Sequence, residues 1–255
     1  MSMVRIEVRG RVALVTMDNP PVNAQPIEFM EEMIEVFDAL SDRDDVGAIV
    51  LTGAGKVFSA GADLKRRQMG EALPGADWRR LRLAREVGYA IIECKKPVVG
   101  AVNGAALGAG LCLAASCDIL VASETAVFGL PEIDVGLMGG ARHAMRILPH
   151  SLVRRMALTG YRAPASELYR RGIIEACLPP AEMLDFALDI ARSIAAKSPV
   201  AVSLCKDSLS TIEAMTLRDG YRYEQNNTNR LTKTEDAQEA ARAFLERRPP
   251  VFVGR

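Results

Sequence analysis

The chain has 255 residues, 49% apolar and 25% charged, a composition that fits one large globular unit with a sizeable core. Lys plus Arg and Asp plus Glu number 32 each, so the net charge is zero and the basic excess of a nucleic-acid surface is excluded. The five cysteines (Cys94, Cys112, Cys117, Cys177 and Cys205) are odd in number and lack CxxC spacing. They read as reduced core thiols in a reducing compartment, hence a cytoplasmic location.

In chain order, residues 4–8 and 12–17 predict two short strands, after an N-terminus with no apolar h-region. Pro20-Pro21 breaks the chain, and residues 26–41 then show helical spacing of Phe29, Ile34, Phe37 and Leu40. Residues 48–52 form a buried strand closed by Gly53-Ala54-Gly55, and residues 77–93 a helix. Residues 98–102 are a strand, followed by the Asn103-Gly104 turn and a helix near 109–115. The uncharged run from Pro97 to Cys117 is long enough to span a bilayer. Its β-type start, its turn and its glycines predict instead a strand, a turn and a buried helix, so no membrane segment is expected. Strands follow at 118–122 and 126–129. Beyond residue 138 the pattern is helical, at 140–159, 164–171, 180–196, 200–213, 216–230 and 234–246, with one β-like stretch at 173–178. The alternating first half and helical second half predict an α/β core with a helical C-terminal part.

Three segments have the makings of a site. Phe58-Ser-Ala-Gly-Ala-Asp63 follows a buried strand and is rich in small residues that let a backbone N–H approach a ligand. Gly104-Ala-Ala-Leu-Gly-Ala-Gly110 follows another strand and opens a helix, with free amides and the positive dipole end facing outward. Two such donors on one oxygen make an oxyanion hole; singly, each loop is an ordinary glycine turn. Phe128-Gly-Leu-Pro-Glu132 sets a carboxylate after an apolar strand, where an apolar wall raises its pKa toward neutral; alone, it reads as a solvated turn glutamate. The two histidines, His143 and His150, do not form HExxH, so no metal site is expected. Neither a P-loop nor a GxSxG elbow is present, and Cys112, between Leu111 and Leu113, reads as a buried thiol.

Together these segments resemble the crotonase (enoyl-CoA hydratase/isomerase) family. Phe58–Leu64 looks like its first oxyanion motif and Lys96–Gly110 its second. Cys117-Asp118, Phe128–Glu132 and the ending Ala243–Gly254 are similar to the family in order and spacing. The resemblance implies a spiral ββα core over 1–195, a helical trimerisation part over 196–255, and a homotrimer or dimer of trimers. It implies an acyl-CoA thioester substrate, whose coenzyme A leaves no separate cofactor to bind. Glu132 and the amides of Ala62 and Ala109 are the expected catalytic groups. Substrate contacts are expected from Ala60, Gly61, Asp63, Leu64, Lys65, Arg66, Gly108, Gly110, Cys112, Pro131 and Gly140.

One departure stands out. Hydratases of the family carry a second glutamate two residues after Gly110, and here that position is Cys112. A thiol with an ordinary pKa near 8.5 is a poor stand-in for a water-activating carboxylate. Gly139-Gly140 occupy positions where other branches place further acids, while Asp134 and His143 are near enough in sequence to supply a second group. The reading therefore ranks double-bond isomerisation slightly ahead of hydration or dehydration. A non-catalytic acyl-CoA binder is the alternative from another class.

Overall fold

The structure, a computed structural model, describes residues 2–63 and 74–255. Among the described residues twelve strands are present: β1 (Val4–Arg9), β2 (Val12–Met17), β3 (Ala24–Gln25), β4 (Ala48–Gly53), β5 (Val57–Ser59), β6 (Gly61–Ala62), β7 (Val98–Val102), β8 (Ala105–Leu107), β9 (Ile119–Ser123), β10 (Val127–Gly129), β11 (Arg162–Pro164) and β12 (Ala176–Leu178). The α-helices are α1 (Ile27–Asp42), α2 (Ala76–Glu93), α3 (Ala109–Ser116), α4 (Ala141–Ala144), α5 (His150–Thr159), α6 (Ala165–Arg170), α7 (Pro180–Ala195), α8 (Pro199–Ile212), α9 (Leu217–Leu231) and α10 (Glu235–Glu246).

The main sheet has the order β1-β2-β4-β7-β9-β12, with β1 antiparallel to β2 and every other pair parallel. Such parallel strands need apolar residues on both faces, and β4 and β7 are buried along their whole length. One face packs Ile49, Leu51, Val98 and Val102 against Phe29, Met33 and Phe37 of α1, Ile91 of α2 and Leu111 of α3. The other face packs Val50, Val99, Ala101 and Val121 against Met183, Ala187, Leu188 and Ala191 of α7. Full burial of each large side chain in these layers contributes about 1.5–3 kcal/mol before entropy is charged against it.

A second sheet runs β11-β10-β8-β5, and β3 pairs with β6. Leaving the main sheet at β4, β7 and β9, the chain passes each time into the small sheet at β5, β8 and β10. This is the spiral of ββ turns that the resemblance implies.

The C-terminal helices dock through buried polar contacts. Lys206 of α8 is 5% exposed, pairs with Asp118 at 2.9 Å, and donates to the carbonyls of Ile91 and Lys96, both at 3.0 Å. Among the described residues no helix is long and apolar enough to cross a membrane, in keeping with the strand-turn-helix reading of 97–117.

Some expectations are corrected. The single helix expected over 140–159 is two, α4 and α5, separated by residues 145–149. Pro149 caps α5 in an extended conformation, and a proline lacks the N–H that a helix interior needs. The β-like stretch 173–178 shortens to Ala176–Leu178. The short strands β3, β5, β6, β8 and β11 lie where the sequence shows turns or nothing.

Candidate active site

The small sheet assembles the site. Its order places β5, β8 and β10 side by side, with β8 parallel to both neighbours. Parallel neighbours end at the same edge, so the segments leaving them emerge together. These are the three motif segments: Ala60–Asp63 after β5, Gly108–Cys112 after β8, and Leu130–Asp134 after β10. Pairing of Gly129 with Leu107 in register sets Glu132 beside Gly108.

Two glycines permit the close approach. Gly61, at φ +90°, has no room for a side chain. A Cβ there would lie 2.6 Å from the Leu107 carbonyl and 3.0 Å from the Ala109 nitrogen. Gly108, at φ +55°, caps α3, and a Cβ on it would lie 2.6 Å from Oε1 of Glu132. Only glycine adopts these conformations without strain. Ala62 and Ala109 are thereby brought together, with Ala109 in the first turn of α3, where amides have no intrahelical acceptor.

The first segment is braced from behind. Asn23 donates to the carbonyls of Ala54 (3.1 Å), Val57 (2.8 Å) and Phe58 (3.2 Å). Ser59 Oγ donates to the Asn23 carbonyl at 2.7 Å, accepts from Gln25 Nε2 at 3.0 Å, and accepts from the Gly61 amide at 3.2 Å. These contacts lock the loop without using the Ala62 side that faces the cavity.

Glu132 sits in a short 3-10 helix, Pro131–Val135, started by Pro131 and closed by Gly136. Proline suits the first position of such a turn because its missing N–H has no partner there anyway. The Glu132 carboxylate is half-buried, and its Oε2 is fully buried with no hydrogen-bond partner. Burial raises its pKa above the ordinary value. Cys112 lies one turn along α3 from Gly108. Burial, with the Glu132 charge beside it, pushes its thiol up to about 12, so the sulfur stays neutral at working pH. Gly140 passes close to that sulfur, its hypothetical Cβ 2.9 Å from Sγ.

The cavity has two lobes. The larger, about 440 Å³, is lined by Ala60, Ala62, Gly108, Ala109, Cys112, Pro131, Glu132 and Gly140 from the expected set, together with Asp134, Gly139 and His143. The smaller, about 210 Å³, is lined by Gln25, Pro26, Ile27, Glu28, Met30 and Asp63. Ala62 and Ala109 line both lobes. Gly61 and Gly110 line neither. Gly110 packs against the Ser59 carbonyl, so both glycines are spacers rather than contacts. Leu64, Lys65 and Arg66 lie outside the described residues.

His143 reaches the cavity from α4, its Nε2 against Gly88 of α2. Burial, then the charges of Arg146 and Arg142, lower its pKa and keep it neutral. Asp134 is exposed, with its carboxylate against Gly160. The sequence reading missed Gln25, Arg80, Ala84, Leu113, Met138 and Arg162 in the lining. Arg80, Ala84, Val87 and Gly88 share one face of α2 at helical spacing, so a predicted helix facing the motifs carried the only usable signal. Among the described residues no group of His, Cys, Asp and Glu is placed to hold a metal ion.

A spiral of strands whose loops bring Ala62, Ala109 and a desolvated Glu132 to one cavity is the crotonase-type architecture. The chain belongs to the enoyl-CoA hydratase/isomerase family, whose sequence profile matches residues 7–255. It is 36% identical to carnitinyl-CoA dehydratase from Escherichia coli K12, over 96% of each chain. Its fold matches the crystal structure of an enoyl-CoA hydratase from Bacillus anthracis at a TM-score of 0.93, with 27% identity and all of both chains covered. It also matches human enoyl Coenzyme A hydratase domain-containing protein 3 at a TM-score of 0.92 and 28% identity, over 98% of this chain and 100% of that one.

Proposed function

We propose that this enzyme moves a double bond along an acyl-CoA thioester, with Glu132 as its single acid/base. The observation that carries the reading is the pairing of a desolvated, orphaned Glu132 carboxylate with a neutral thiol at position 112. The thioester oxygen lies between the amides of Ala62 and Ala109. The acyl chain enters the larger lobe, which contains Glu132, and the sulfur faces the smaller lobe, which does not.

For a 3-enoyl thioester, Glu132 takes a proton from the α-carbon. The electron pair moves into the carbonyl, and the two amides stabilise the resulting dienolate oxygen. Protonated Glu132 then returns the proton to the γ-carbon, the electrons fall back, and a 2-enoyl thioester forms. No water is added and no second acid is needed.

Reversible dehydration of a 3-hydroxyacyl thioester is the second reading, favoured by the relative named carnitinyl-CoA dehydratase and the structural neighbour named enoyl-CoA hydratase. There too Glu132 would hold the α-proton. Either reaction requires this carboxylate, so Glu132→Gln should lower kcat by roughly 100-fold or more. Turnover near wild type in that variant contradicts the assignment.

A further inference from the structure

Among the described residues, two buried side-chain polar atoms lack a hydrogen-bond partner: Oε2 of Glu132 and Nε of Arg80. Both residues line the larger lobe. The proton shuttle accounts for the first and makes no use of the second.

Arg80 lines both lobes, as do Ala62 and Ala109, so it stands at the junction where the thioester sits. Its side chain is 24% exposed, and its ion pair runs from Nη2 to Asp77, a weak 3.3 Å contact to a side chain 80% exposed. A guanidinium keeps its charge at every working pH and has only donors to offer. A buried N–H without an acceptor is destabilising, and a ligand oxygen placed there removes that penalty. The smaller lobe is of mixed sign, because Glu28 and Asp63 line it with Arg80, so the cationic wall belongs to the larger lobe. Arg85 and Arg162 also line the larger lobe, Arg85 paired with Glu86, and Asp134 is the one carboxylate there besides Glu132 among the described residues. Among the described residues no Phe, Tyr or Trp appears in that lining, so a quaternary ammonium group finds no aromatic face there.

We infer that Arg80 is a specificity-determining residue that pairs with a carboxylate on a short acyl chain, a few carbons from the thioester, and disfavours cationic acyl groups. The inference rests on the reading of the cavity as an acyl-CoA site. It separates this chain from its relative named for a carnitinyl substrate, whose acyl group carries a trimethylammonium cation.

The test is equilibrium binding by titration calorimetry of three saturated four-carbon thioesters, each freshly prepared: succinyl-CoA (anionic), butyryl-CoA (neutral) and 4-trimethylammoniobutyryl-CoA (cationic). The expected wild-type result is succinyl-CoA binding roughly 10-fold tighter than butyryl-CoA, the scale of one charge-assisted hydrogen bond, with the cationic ester weakest. In Arg80→Gln both ratios should fall to near one, with a melting curve confirming that the variant is folded. Equal wild-type affinity for all three esters overturns the inference while leaving the acyl-CoA site intact. So does an Arg80→Gln variant that weakens all three equally, because Arg80 would then serve the shared CoA part. Failure of the wild type to bind any ester overturns the inference and the functional reading together.

Discussion

Among single residues, Glu132 is poised for proton transfer and Cys112 is not. Both are desolvated, and burial favours the neutral form of each. For a carboxylate this brings the pKa toward working pH, where proton transfer is efficient. For a thiol it moves the pKa away. Cys112→Ser should therefore keep turnover within about threefold of wild type, and the Cys112 thiol should alkylate slowly at pH 8. The raised Glu132 pKa places the acid limb of the kcat/KM profile above the limb an ordinary glutamate gives. It also has a sign for stability. A carboxylate whose folded pKa exceeds its unfolded value of 4.5 contributes stability below that value and loses it as pH rises through the folded pKa. Glu132→Gln should thus melt above wild type at pH 8 and lose that advantage below pH 4.5, a trade of stability for function read by melting curves at the two pH values.

At the scale of elements, the small sheet converts three separate motifs into one site. The motif residues themselves were legible: small residues after strands, a glycine-rich helix start, and a carboxylate after a proline. Their convergence was legible only through the family resemblance: β10 falls in the strand expected at 126–129, but β5 and β8 have three residues each, too few to show an alternating pattern. Nor did the sequence show that Gly61 and Gly110 act as spacers, since a glycine reads the same whether it touches ligand or backbone. The helical reading of 140–159 failed for a related reason: its apolar spacing continues across residues 145–149, and only Pro149 interrupts it. Gly108→Ala tests the convergence. The added methyl meets the Glu132 carboxylate at a positive φ, a strain of about 1–3 kcal/mol. Activity should fall at least tenfold while circular dichroism stays that of the folded protein.

At the scale of the whole molecule, the C-terminal part was legible as helices but its attachments were not. Asp236 is fully buried. It accepts from Ser198 Oγ at 2.6 Å, the Val253 amide at 2.7 Å and the Gly254 amide at 3.1 Å, closing the end of the chain onto α8 and α10. Asp236→Ala leaves those donors unpaired and should cost about 2 kcal/mol, read from chemical denaturation. The C-terminal helices also expose Leu217 (90%), Phe244 (82%) and Leu245 (80%), apolar area available to the trimer or dimer of trimers that the family resemblance implies. Sedimentation should then give three or six times the 27.6 kDa chain mass. The claim that decides the rest is proton transfer by one carboxylate without water. Purified enzyme should be offered 2-enoyl-CoA and 3-enoyl-CoA esters, and the products resolved by chromatography and mass. A shifted double bond at unchanged mass is the expected result; a product heavier by one water, with no shifted isomer, would contradict single-carboxylate proton transfer.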